Sequence, residues 1–153
     1  MRLSPNFTLA QLTHSDAALA SGIVNQPDQA HIAGLMRLAQ TLELVKSLLQ
    51  APLSISSAYR CPELNAVVGG APGSRHALGL AVDFTCPRFG TPLAAARAIA
   101  DSTLGFDQLI HEYGHWVHLG LAPAGTMPRR QTLTICSAHG GYLDGLVDCK
   151  LTS

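Results

Sequence analysis

The chain has 153 residues, which suits one domain and leaves little room for a second. Hydrophobic residues make up 47%, enough to bury a real core, and charged residues only 13%, about half the usual share of roughly 25%. Lys plus Arg equals Asp plus Glu at 10 each, a balance that argues against the basic stripe of a nucleic-acid binder and against polybasic attachment to a membrane.

In chain order, the opening MRLSPNFTLAQLTHSD has no apolar run of signal-peptide length. No window approaches the roughly 18 apolar residues of a membrane span. Synthesis in the cytoplasm without a signal peptide, and no membrane insertion, are therefore expected. TLAQ reads as a capping box, with Thr8 as N-cap and Gln11 three residues on, opening a short helix before Ser15 and Asp16. The clearest element follows. Ile32, Leu35, Leu38, Leu42, Val45 and Leu49 recur every three or four residues, the stripe of one helical face. Asp28 caps its start and Pro52 lies beyond its end. LSISSAYR is strand-like. CPELNAVVGG reads as a short helix stopped by Gly69 and Gly70, and LGLAVDFT as a second strand.

Thr91 followed by Pro92 is a helix start, and the alanines after it suit close packing on a sheet. FDQLIHEY and WVHLGL form a hairpin around Gly114, and RRQTLTIC reads as a last strand. The C-terminal SAHGGYLDGLVDCKLTS is rich in turn residues and has no assigned element. Early helices with strands clustered around the polar motifs predict an α+β fold over residues 1–153, a small, mostly antiparallel sheet with helices packed on one side. Cys61, Cys86, Cys136 and Cys149 are scattered, without the close pairs of a zinc finger or redox motif. Free thiols in a reducing compartment are expected, with a Cys61–Cys86 bridge left open.

Two stretches place coordinating side chains in apolar surroundings, GSRHALGLAVDF at 73–84 and HEYGHWVHLGL at 111–121. A catalytic zinc takes three protein ligands from His, Asp, Glu or Cys and keeps a fourth position for water. His76 and Asp83, seven apart, are too distant for one helical face. They converge if His76 sits in a loop, Asp83 on the next strand, and Gly79 bends the chain between them. His118 is the leading third ligand. Two hairpin registers are open. A loop of Gly114, His115 and Trp116 sets Glu112 opposite His118, where it can take a proton from water; a two-residue loop sets His111 there instead. The first is preferred, with Gly114 at positive φ. Each residue also has an ordinary reading: Asp83 as a cap or ion-pair member, the histidines as satisfied core groups, Trp116 as packing. His14, His31 and His139 are read as surface residues.

SRHALGLAVD, Ser74 to Asp83, fits the S-x-H-x-x-G-x-A-x-D signature of the zinc D-Ala-D-Ala peptidases, a fold shared with the Hedgehog signalling domain. SSAYRCPELN and FDQLIHEYGHWVHLGL resemble two further segments of that family, the second in its phage and prophage members. The resemblance runs from about Phe7 to Ile135. It implies a zinc cofactor held by His76, Asp83 and His118. Glu112 would be the general base, with His115 the second candidate. Arg60 would anchor a substrate carboxylate or stabilise the oxyanion, and Ser74 would bind the substrate or the metal shell. Cys61 and Ala58 stand where the family usually has serine and glycine. The implied activity is amide hydrolysis in peptidoglycan stem peptides, by a D-Ala-D-Ala carboxypeptidase or an L-Ala-D-Glu endopeptidase, acting as a monomeric cell-wall lysis enzyme. The alternative is a zinc-binding module or virion component of the same fold without activity. Asp107 and Asp101 are candidates to orient the histidine ligands.

Overall fold

The computed structural model describes residues 1–151. Its frame is a six-stranded sheet in the order β3 (Ser54–Ser57), β4 (Ala81–Thr85), β6 (Trp116–Gly120), β5 (Gln108–Glu112), β7 (Gln131–Ile135), β8 (Tyr142–Asp144). Every neighbouring pair is antiparallel except β5 with β7. A separate two-stranded ribbon, β1 (Arg2–Ser4) and β2 (Phe7–Thr8), leads into α1 (Leu9–Thr13). There Thr8 and Gln11 make the capping box that TLAQ predicts. A second short helix, α2 (Asp16–Ser21), is capped by Ser15 and ends on Gly22 at φ 68.

The long helix α3 (Gln29–Leu49) starts where Asp28 accepts the His31 N–H and ends at Gln50 in the left-handed region. Its stripe is the predicted one: Leu35, Leu38, Leu42, Val45 and Leu49 are buried, with Ile32 half-buried at the edge. These side chains meet Ala95, Ala96 and Ile99 of α5 (Pro92–Ala100) and one face of the sheet, from which Val82, Phe84, Leu109, Val117 and Leu119 project. Burial of such side chains is worth about 1.5–3 kcal/mol each, and this one cluster holds the helices to the sheet.

Strand alternation decides the rest. Val82 and Phe84 enter the core, so Asp83 points to the opposite face; Val117 and Leu119 enter it, so Trp116 and His118 do not. That opposite face carries neither α3 nor α5; its apolar residues, among those described, include a small cluster of Ile110, Leu133 and Ile135 with Tyr113 against it. Helices on one side and polar groups on the other make the sheet a platform for a site.

Three expectations need correction. The hairpin closes with Glu112 opposite Trp116 and Ile110 opposite His118, so its loop is Tyr113, Gly114 and His115. Tyr113 (φ 58) and Gly114 (φ 71) both take left-handed backbone, which moves the three-residue loop one position toward the N-terminus of the preferred register and excludes the two-residue loop. Second, the turn-rich C-terminal stretch supplies β8 and continues the sheet. Third, Cys136 and Cys149 form a disulfide, while Cys61 and Cys86 are free. The bridge joins the end of β7 to the segment after β8. No helix among the described residues is long and apolar enough to cross a membrane.

Candidate active site

His76 lies on a single 3-10 turn, Arg75–Leu78, between α4 (Pro62–Val67) and β4. Ser74 caps this turn by accepting the His76 N–H, and Gly79 ends it at φ 72. The turn rests directly on α3: a Cβ on Gly79 would stand 2.7 Å from the His31 carbonyl, and one on Gly34 would stand 3.1 Å from the Leu78 carbonyl. Two glycines thus let backbone meet backbone and fix the height of His76 above the sheet.

The His76 ring is buried, and its Nδ1 lies 2.6 Å from the Ala58 carbonyl. A carbonyl only accepts, so Nδ1 carries the proton and Nε2 presents its lone pair. Ala58 therefore orients this histidine, in place of Asp107 or Asp101. Nε2 lies 3.4 Å from Asp83 Oδ1. On the other side of Asp83, His118 Nδ1 lies 2.9 Å from the same oxygen, because Asp83 and His118 are paired across β4 and β6. The three donor atoms lie within 4.8 Å of one another. Zinc bonds of about 2.0 Å in a tetrahedral shell separate ligand atoms by roughly 3.3 Å, between the two Asp83 spacings observed. One carboxylate oxygen and two imidazole nitrogens at this separation fit a zinc ion. Burial works against ionisation of Asp83, but in the metal-free, protonated state of the two imidazoles hydrogen bonds from His118 and His76, and their positive charge, outweigh it and hold the carboxyl well below the usual range.

Around this triad lies a cleft of about 590 Å³. Glu112 lines it, with Oε1 4.0 Å from His118 Nδ1. Glu112 is the diagonal neighbour of His118 instead of its direct partner. The register differs from expectation by an even count, so both side chains still share a face. Burial, then the Asp83 charge, push the Glu112 carboxyl above its ordinary pKa, opposed by His118 and Arg60. The buried indole N–H of Trp116 favours the Glu112 carboxylate through its dipole but makes no hydrogen bond of normal geometry.

Arg60 and Ser74 also line the cleft, with Nη2 3.5 Å from Ser74 Oγ. Burial lowers the Arg60 pKa, and the charges of Asp83 and Glu112 counter it. Its Nε is buried without a partner, a donor that a substrate oxygen could fill. His115 is set apart from these groups. It is exposed in the hairpin turn and does not line the cleft. His111, which the other register would bring to the site, is buried on the helix side and contacts the Val147 carbonyl through Nδ1. Of the remaining histidines, His31 is half-buried beside Tyr59.

The cleft also contains residues that motif reading did not single out. Tyr142 on β8 and Arg129 before β7 belong to its wall, and Gly69 and Gly70, read from the sequence only as a helix stop, join them. Tyr142 was reachable only by knowing that β8 pairs with β7, which sets it opposite Ile135 and hence on the face of Glu112.

A family model described as peptidase M15 matches residues 5–120, most of the chain and every donor of the triad. The chain belongs to the peptidase M15 family. Among curated proteins, none matches it significantly. As a member of this metallopeptidase family, the chain carries the His-Asp-His set on the open face of a family-type α+β sheet. The matched segment ends with β6, so β7, β8 and the disulfide lie outside it.

Proposed function

We propose that this M15 peptidase is a zinc enzyme that hydrolyses an amide bond in the stem peptides of peptidoglycan, either the terminal D-Ala-D-Ala bond or an internal L-Ala-D-Glu bond. In this reading it serves as a phage or prophage lysis enzyme acting on the cell wall. One observation carries it. His76 Nε2, Asp83 Oδ1 and His118 Nδ1 converge in a cleft whose walls hold a carboxylate, Glu112, and a guanidinium, Arg60. The wall substrate is supported by the likeness of Ser74–Asp83 to the signature of the zinc D-Ala-D-Ala peptidases. The Cys136–Cys149 bridge suits work outside a reducing cytoplasm.

His76, Asp83 and His118 would hold the zinc. When bound, it supplies Lewis acidity toward water and the scissile carbonyl. Glu112, half-buried and with a raised pKa, accepts the proton of the attacking water and returns it to the leaving amine. Arg60 places a fixed positive charge where negative charge grows on the carbonyl oxygen, a role often worth about 3 kcal/mol. Ser74 holds Arg60 from one side and caps the turn that carries His76. Trp116 closes one side of the cleft and keeps Glu112 partly dry.

The test is digestion of purified peptidoglycan by the zinc-loaded chain, with released products identified. Free D-Ala marks the carboxypeptidase, and new D-Glu amino termini mark the endopeptidase. No release by protein holding stoichiometric zinc would instead identify an inactive zinc-binding module.

A further inference from the structure

A second charged group occupies the cleft at the end where β5 begins. Asp107, just before that strand, is 4% exposed in its side chain. It accepts hydrogen bonds from Arg129 Nε at 3.1 and 3.2 Å, from Arg129 Nη2 at 2.8 Å and from the Arg129 backbone N–H at 2.9 Å. Arg75 Nη2 lies 3.3 Å from the same carboxylate, and Arg75 Nη1 donates to the Leu121 carbonyl. Hydrogen bonding from Arg129, against a smaller opposing effect of burial, keeps Asp107 ionised.

One carboxylate neutralises one guanidinium, and here two share it. A positive charge is therefore left over. Arg75 and Arg129 both line the cleft, with side chains 29% and 55% exposed. Nη1 of Arg129 makes no hydrogen bond among the described residues. The hydrolytic mechanism uses neither residue, and Arg129 lies beyond the segment matched by the family. A structural tie alone needs one arginine; two, pinned by a buried acid and facing a cleft, present a rigid fork of donors.

The strands give the scale. His118 is level with Ile110, and Gln108, which also lines the cleft, is two residues nearer the arginines. Two residues of strand span about 7 Å, and an extended peptide covers the same distance in two residues.

We propose that Arg75 and Arg129 form a carboxylate-recognition subsite, so that this peptidase selects peptides with a free carboxylate within about two residues of the bond it cuts and discriminates against the same peptides when that group is amidated. The proposal rests on the peptidase reading of the same cleft.

Two synthetic stem peptides that differ only at the D-Glu α-carboxyl, free in one and amidated in the other, provide the probe. With the zinc-loaded full chain, kcat/KM is expected to favour the free acid by about tenfold or more, mainly through KM. Arg75→Gln keeps all four Arg129–Asp107 hydrogen bonds but removes the surplus charge, and should bring the ratio within about twofold. Arg129→Gln, which leaves Arg75 on Asp107, should do the same, and either variant suffices if the other does not fold. Binding of both peptides to the zinc-free chain, followed by the NMR signals of the arginine Nε–H groups, provides a readout without turnover. The acid should shift Arg129 saturably and the amide much less. Equal binding of the two peptides, or a preference that survives both substitutions, overturns the subsite. Failure to cut either peptide counts against the peptidase reading, and the binding arm still decides the subsite.

Discussion

Asp83 and His118 face each other across β4 and β6, and that pairing brings the carboxylate oxygen and imidazole Nδ1 to 2.9 Å. Neither side chain enters the core, so both can be changed with little loss of packing. Asp83→Ala and His118→Ala are each expected to lower zinc affinity by 100-fold or more and to leave purified protein with little metal, because two donors do not hold zinc as three do. Metal analysis after dialysis, with circular dichroism to verify the fold, checks this. Stoichiometric zinc in either variant contradicts the ligand set. His76→Ala should also lose zinc, and as a buried ring bonded to Ala58 it should cost a further ~1–3 kcal/mol in stability.

Glu112→Gln preserves shape and removes the base. Zinc content should stay at one per chain while kcat falls by roughly 10²–10⁴. His115→Ala should leave both unchanged within about twofold, since that ring is exposed in the turn and outside the cleft. Parallel zinc and turnover assays separate the two candidates. The reverse pattern would transfer the base to His115 and require the turn to rearrange in the active state.

How much of this was legible in the sequence follows how local each cause is. The caps at Thr8, Asp28 and Thr91 and the stripe of α3 depend on residues within a few positions of each other, and they read directly. The approach of His76 to Asp83 was legible because a glycine between them permits the bend. The hairpin register was not, because it turns on Tyr113 accepting positive φ, which its residue type does not signal. The parallel pairing of β5 with β7 and the edge strand β8 depend on contacts between distant segments, so Arg129 and Tyr142 could not be placed in the cleft. Four cysteines allow three full pairings, and sequence spacing does not choose among them.

The disulfide makes a countable prediction. Protein unfolded without reductant should show two reactive thiols, Cys61 and Cys86, and four after reduction. Cys136→Ser removes a cross-link spanning 13 residues, worth about 3 kcal/mol in the chain-entropy account. The loss should concentrate in β8, whose three residues form an edge strand. Amide exchange at 142–144 should therefore rise more than in β4–β6.

Asp107 gives a pH dependence. Its folded pKa is depressed below the unfolded value of about 3.9. Its contribution is therefore complete above pH ~4 and fades as pH falls through the folded value. Asp107→Asn should lower stability at pH 7 by about 2–4 kcal/mol, with Arg129's exposure keeping the effect below that of a fully buried pair. The difference between the two proteins should shrink on acidification. A gap that persists unchanged to pH 2 in urea titrations would show that the arginine pairs do not stabilise this end of the sheet.

Gly79 ties fold to site most closely. Alanine there must hold left-handed backbone, at about 1–2 kcal/mol, and must place a methyl 2.7 Å from the His31 carbonyl, which belongs to the first turn of α3 and cannot swing aside. Relief requires the Arg75–Leu78 turn to lift from the helix. His76 sits on that turn, so the lift carries Nε2 away from Asp83. Gly79→Ala should therefore lose about 2–4 kcal/mol of stability and at least tenfold in zinc affinity. Gly69→Ala also strains a left-handed glycine, but its added methyl meets nothing within 4 Å; it should cost about 1–2 kcal/mol and leave zinc affinity within about twofold. Thermal unfolding and zinc titration of both variants separate backbone strain alone from displacement of the ligand, and equal zinc affinity in the two would break the link between the α3 contact and the metal site.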